Sequence, residues 1–141
     1  KLSAEVTHNH PQGIAGAESV AAAIFLLRTG ENKADVRSYI AKSFGYDFSR
    51  SLAEIRKNYT FDISCQGSVP QAITAFWEAQ SFEDCLRKAI SIGGDSDTIA
   101  AIACSLAEAC FPIPKDIITE ALNRLDKEIL EVYKEFLRRK K

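Results

Sequence analysis

Asp95, Asp97 and Thr98 set two carboxylates and a hydroxyl within four positions, directly behind the paired glycines Gly93 and Gly94. Groups of this kind are hard oxygen ligands. Two carboxylates brought to about 4 Å at an effective dielectric of about 20 repel by roughly 4 kcal/mol. A helix N-terminus returns only about 0.3–1 kcal/mol per carboxylate. Repulsion therefore wins unless a proton or a cation lies between them, and a hard divalent cation such as Mg²⁺ or Mn²⁺ suits an all-oxygen set. The glycines permit a sharp turn and let the backbone come close to whatever the carboxylates hold. The same spacing also reads as an N-cap followed by solvated first-turn acids, and Asp-x-Asp-Thr alone does not separate the two readings.

Other residues carry weaker signals. His8 and His10 stand two apart in a polar turn before Pro11, with no Cys, Asp or Glu following at a zinc-like spacing, so turn histidines are the default. Glu108, the lone charge in the apolar run from Ile99 to Phe111, reads as partly exposed or paired with a cation. Asp62 and Cys65 fall in an irregular segment that must satisfy its own backbone groups, which favours a structural role in the loop. Arg56, Arg87 and Lys88 read as surface charge, and the basic end from Arg138 to Lys141 as a solvated helix terminus.

The elements that must position these groups read as helices throughout. Alternation at period two is rare, and helical periodicity dominates. Lys1 to Val6 reads as a helix tail, followed by a polar turn to Gln12. Gly13 to Leu27 is apolar nearly all round and predicts a central, buried helix that Gly30 ends. Lys33 to Ser43 predicts a surface helix with Val36, Tyr39 and Ile40 inward, then an aromatic-rich loop from Phe44 to Arg50. Ser51 with Glu54 forms a capping box for a short helix to Asn58. Pro70 suits a first helical position and predicts a helix to Glu78, while Ser81 caps the next, whose face carries Phe82, Cys85, Leu86 and Ala89. Behind the acidic turn Ile99 to Phe111 predicts a buried helix stopped by Pro112 and Pro114. Pro114 to Leu122 and Asp126 to Arg139 predict two more, the last with Ile129, Val132, Tyr133 and Phe136 on one face.

Bulk properties bound the function. The 141 residues, 46% hydrophobic and 26% charged, amount to one helical domain over 1–141 with enough chain to bury a core. A formal net charge of −1 gives no global pull toward nucleic acid or membrane. No apolar run is long enough for a transmembrane helix, and the N-terminus carries no signal-peptide pattern. Cys65, Cys85, Cys104 and Cys110 form no Cys-x-x-Cys pair and read as small core residues of a reduced, cytoplasmic protein. The chain holds no Met and begins at Lys1 inside what reads as a helix, which points to a removed start or to a piece of something longer.

Three windows, in order and spacing, resemble the ADP-ribosylglycohydrolase family over nearly the whole chain. They are Thr-His-Asn-His-Pro-Gln-Gly-Ile-Ala-Gly-Ala (7–17), Phe-Asp-Ile-Ser-Cys-Gln-Gly-Ser-Val-Pro-Gln-Ala-Ile (61–73) and Ala-Ile-Ser-Ile-Gly-Gly-Asp-Ser-Asp-Thr-Ile-Ala-Ala-Ile-Ala (89–103). The resemblance implies an all-α fold and hydrolysis of the glycosidic bond between ADP-ribose and an acceptor, with two Mg²⁺ or Mn²⁺ ions in the cleft. It implies that Asp95, Asp97 and Thr98 supply the C-terminal half of the metal ligands, that Gly93 and Gly94 shape the turn against the ligand, and that His8 touches its ribose or adenine. The family takes its remaining ligands from a Thr-Asp-Asp motif and its phosphate cradle from a Gly-rich loop. Neither occurs here, and no Asp-Asp pair occurs anywhere. The family also usually has Gly where Cys104 stands. These absences predict a truncated, C-terminal part of the fold with weak or absent turnover on its own. They also predict apolar surface on the Gly13 and Ile99 helices that a second copy or the missing half would cover. The alternative is a non-catalytic helical module that keeps part of the ADP-ribose or metal site and acts through partner contacts.

Overall fold

The computed structural model describes residues 1–139; Lys140 and Lys141, the end of the basic tail, lie outside the described residues. Among the described residues there are eight helices and no strand, as the periodicity predicts. They are α1 (Pro11–Arg28), α2 (Lys33–Phe44), α3 (Leu52–Asn58), α4 (Cys65–Glu78), α5 (Phe82–Ile90), α6 (Ser96–Ala107), α7 (Lys115–Asn123) and α8 (Lys127–Arg139). No helix is long and apolar enough to cross a membrane.

Local chemistry writes most of the helix starts. In the capping box of α3 the Ser51 N–H donates to Glu54 Oε2 at 2.8 Å while the Glu54 N–H donates to Ser51 Oγ at 3.3 Å. Ser81 Oγ accepts from the Asp84 N–H at 3.1 Å to open α5. His10 caps α1, its Nδ1 accepting from the Gln12 N–H at 3.2 Å, with Pro11 in the first turn. The start of α4 differs from expectation. It begins at Cys65, where Ser64 Oγ accepts from the Gly67 N–H at 3.0 Å, and Pro70 lies inside it. The donor that Pro70 lacks would have reached the carbonyl of Gln66, an exposed residue whose carbonyl water can serve, so the Ser64 cap sets the boundary. Residues 2–7 form separate turns, closed by bonds such as His8 N–H to Ala4 O at 2.8 Å, rather than a helix tail.

The core lies where α4, α5 and α6 pack together, with α1, α2 and α3 against α4 or one another. Ile73, Phe76, Cys85, Ile99 and Leu106 are fully buried there. Val36 and Ile40 seat α2, but Tyr39 is 48% exposed; the i, i+4 pair defines the inward face, and Tyr39 falls beside it. Lys33, at the start of α2, sends its ammonium to the C-terminal end of α4, donating to the carbonyls of Phe76, Trp77 and Ala79 at 3.1, 3.3 and 3.2 Å. That serves the last carbonyls of the helix, at the negative end of its dipole, of which the Phe76 oxygen also accepts from the Ala79 N–H at 3.1 Å.

Two expectations about burial are corrected. The α1 helix is buried along one stripe only, Gly13, Gly16, Ser19, Ala23 and Leu27, while Ala17, Ala21 and Phe25 stand exposed, Phe25 at 65%. Its sequence is apolar on every side, but among the described residues α2, α4 and α6 pack on one side. The cysteines are not all core residues: Cys85 is buried, Cys65 and Cys104 are half-buried and Cys110 is exposed. The row Ile129, Val132, Tyr133 and Phe136 of α8 does share a face, and that face is exposed, Val132 at 70%.

Candidate functional site

The acidic mouth of α6 is built by two left-handed glycines. Gly93 and Gly94 have φ of +81° and +61°, a region that side chains other than glycine enter at a cost of about 1–2 kcal/mol. Gly94 is required twice over, since a Cβ there would sit 2.6 Å from Tyr59 Cε1. The turn delivers Asp95 to the N-cap of α6, where its side chain makes no capping bond. Asp97 follows in the first turn. The Asp95 carboxyl beside it, and after that the N–H groups of Thr98 and Asp97, hold the Asp97 carboxyl below its usual range. The structure thus sets Asp95 and Asp97 at the same helix start, with Asp97 and Thr98 open to solvent.

Tyr59 props this mouth from behind, a role for which the sequence offered no signal beyond an aromatic residue at a helix end. Its ring packs on Gly94, and its hydroxyl donates to the Gly67 carbonyl oxygen at 2.9 Å. Burial first, then the nearby Asp62 and Asp95 carboxylates, push the phenol above its ordinary value. Asp62 organises the loop before α4: its Oδ1 accepts from the Ser64 N–H at 2.8 Å, and the Ser64 hydroxyl and N–H together hold the carboxyl low. Only glycine fits beneath it, because a Cβ on Gly67 would lie 2.2 Å from the Asp62 carboxyl. Asp62 is therefore a loop-building residue that also faces the same tyrosine as Asp95.

The cleft residues gather elsewhere. A cavity of about 670 Å³ runs along α1 between the N-terminal turns and the start of α4, with Ala17, Val20, Ala21, Ile24 and Val69 on its walls. A recess of about 360 Å³ continues from it past His8, His10, Gln12, Ser64 and Gln66. His8 lines both, its Nδ1 2.8 Å from Thr7 Oγ1, whereas His10 is spent on the cap of α1. Gly93, Gly94, Asp95, Asp97 and Thr98 line neither, so the structure does not join His8 and the acids in one enclosed space. The larger cavity is mostly apolar and open. The carboxylates of Asp95 and Asp97 lie outside it, at the α6 mouth.

The remaining candidates are structural. Glu108 pairs with Arg28 of α1. Arg87 pairs with Glu83, and Lys88 with Asp84, both along α5. Among the described residues no group of three or more His, Cys, Asp or Glu side chains could hold a metal ion by itself.

The family model for ADP-ribosylglycohydrolase matches residues 1–140. The chain is 30% identical over 146 residues to an uncharacterized protein of Archaeoglobus fulgidus, an alignment that covers 93% of this chain and 47% of that protein. It thus spans about half the length of the curated relative it matches. No solved structure matches. An all-helical architecture, the glycine-built acidic turn and a family match running almost end to end agree, and the chain belongs to the ADP-ribosylglycohydrolase family.

Proposed function

We propose that the α6 mouth is the C-terminal half of a metal-dependent site for hydrolysing the bond between ADP-ribose and an acceptor, with turnover requiring ligands from outside the described residues. The observation that carries this reading is the placement of Asp95 and Asp97 at an uncapped helix start, directly behind two left-handed glycines. Two acids held together this way share a proton or a cation, since a helix dipole worth about 0.3–1 kcal/mol does not offset their repulsion. The donor set fits Mg²⁺ or Mn²⁺ in kind, being all oxygen, and falls short in number, since Mg²⁺ takes six ligands. Asp95, Asp97 and Thr98 would hold the ion. When bound, it would polarise a water and stabilise charge at the reacting carbon. Asp97 meanwhile stays ionised toward low pH, and the space beside Gly93, where a Cβ would meet nothing within 4 Å, leaves room for a ligand to approach.

Thermal melting with Mn²⁺ and ADP-ribose tests the reading. A ligand that binds the folded state alone raises stability by about 2.7 kcal/mol at 100 times its Kd. The midpoint should rise in the parent chain and stay put in Asp95→Ala and Asp97→Ala. An unchanged midpoint in the parent would sink the half-site. A hydrolysis assay bears on the second part: full-rate turnover by this chain alone would show that no further ligands are needed.

The exposed face of α1 supports a second reading, that of an interaction module. Ala17, Ala21 and Phe25 stand one turn apart, beside the large cavity, and exposed apolar patches mark association sites. On this reading a second copy, or the rest of a longer chain, covers α1. Light scattering should then show self-association that Ala21→Glu weakens, and a clean monomer at high concentration would count against it.

A further inference from the structure

The C-terminal helix α8 stands apart from the rest of the chain. None of its residues is buried, and among the described residues no other helix packs along it. Yet Ile129, Val132, Tyr133 and Phe136 form an apolar row, with Ile129 54% and Phe136 62% exposed. The spacing i, i+3, i+4 and i+7 is that of a helix made to pack. A groove without an occupant lies on the same molecule. It has a volume of about 630 Å³, and Leu86 and Ile90 of α5 line it together with Ile117 and Ala121 of α7. Each pair is spaced i, i+4, so two short ridges bound one channel, a shape that takes a third helix. The lengths agree. The α8 row spans about 10 Å, and the nine-residue helices α5 and α7 about 13 Å each, at about 1.5 Å per residue. The charges agree too. Three acids line the groove, Glu83, Asp116 and Glu120, against Arg87 and Arg124. Helix α8 carries four basic residues against three glutamates.

The chain's own α8 does not fill this groove. The Arg124 and Leu125 N–H groups still bond back to α7, donating to the Ala121 and Leu122 carbonyls at 3.2 Å, and the Asp126 carbonyl already accepts from the Leu130 N–H at 2.9 Å as α8 opens. No residue is left over to turn α8 back beside α7, where a helical hairpin takes about 2–5. We propose that α8 docks in the α5–α7 groove of a second copy, which returns its own α8, giving a two-fold dimer by helix exchange. The exchange covers an apolar row and an apolar groove on each copy, so the assembly closes at two. An anionic lipid surface suits α8 less well, because Glu128, Glu131 and Glu135 interrupt its basic charge. Neither the acidic mouth nor the bare face of α1 takes part.

Sedimentation velocity on the full, reduced chain should show a dimer that dissociates on dilution. Val132→Glu on α8 and Ala121→Glu in the groove should each raise its dissociation constant by at least about tenfold, the loss expected when a central apolar contact takes a charge. Both residues are exposed within one chain, so the monomer should keep its fold, which circular dichroism checks. Mixing a Val132→Cys chain with an Ala121→Cys chain, followed by mild oxidation and peptide mapping, should give a disulfide between those two positions across copies. Ala21→Glu on α1 should leave that crosslink in place. A chain that stays monomeric at high concentration would overturn the proposal, and so would a dimer that neither glutamate weakens. Linkage of position 132 only to its counterpart would replace the exchange with α8 pairing on α8. A monomer that binds phosphatidylserine vesicles, and loses them on Val132→Glu, would assign the helix to a membrane instead. The crosslink introduces no charge, so a glutamate variant that misfolds leaves the test standing.

Discussion

Helices α1 and α6 look alike in sequence and end up differently. Both are rich in Ala and Ile, and each has one or two charged residues along its length. In α6, Ile99, Ala100, Ala103, Leu106 and Ala107 are buried between α4 and α5. In α1 a single stripe is buried and Phe25 faces solvent. An apolar surface states what a helix needs, and the neighbours decide how much of it is met. The acidic mouth sits on the helix whose needs are met, with burial beginning at Ile99 directly behind it. The bare apolar face sits on the other.

The comparison can be broken by substitution. Leu106→Ala should cost about 2–5 kcal/mol in urea unfolding, because it opens a cavity in a packed core, whereas Phe25→Ala should change stability by less than about 1 kcal/mol. Equal losses would mean that α1 is as firmly seated as α6. Next in size is Gly94→Ala, expected to cost about 2–4 kcal/mol because left-handed strain adds to the collision with Tyr59. Gly93→Ala meets nothing within 4 Å and should pay the strain alone, about 1–2 kcal/mol. Similar values for both would remove Tyr59 as the prop of the mouth.

Acid titration gives a smaller effect. The Asp97 carboxyl is held below its usual range when folded, so its contribution is present above the unfolded value, about pH 4, and is lost as pH falls through the lowered one. Asp97→Asn should flatten the acid limb of a stability–pH profile below about pH 4. An unaltered limb would show that the folded chain does not favour the Asp97 anion. The smallest effect expected is at the Arg28–Glu108 pair that joins α1 to α6. Both side chains are nearly half exposed, so Glu108→Gln should cost about 0–1 kcal/mol, less in high salt. A larger loss would make that pair a real tether for α1.

Much of this was legible beforehand, for reasons that differ between residues. The Ser51–Glu54 box and the Ser81 cap follow from side chains that reach their own backbone three residues on, so sequence suffices. Pro70 misled because the Ser64 side chain caps the helix one turn earlier, and a proline inside the helix does not prevent that start. Tyr39 and the cysteines misled in the same way, since periodicity places a residue on a face without saying what packs there. The acids were legible as a motif, while Tyr59 behind Gly94 and Asp62 over Gly67 were not, because those contacts join residues from different turns of the chain.

The order of residues alone determined the helical class, most of the caps and the glycine-built turn that carries Asp95 and Asp97, since each depends on groups a few bonds apart. The tertiary structure decided which apolar faces were covered, that the Tyr59 ring backs Gly94, that Asp62 stands over Gly67, and that the two cavities beside His8 are not lined by the acids. Those outcomes depend on distances between segments remote in sequence, which the packing of α4, α5 and α6 sets and local propensity does not.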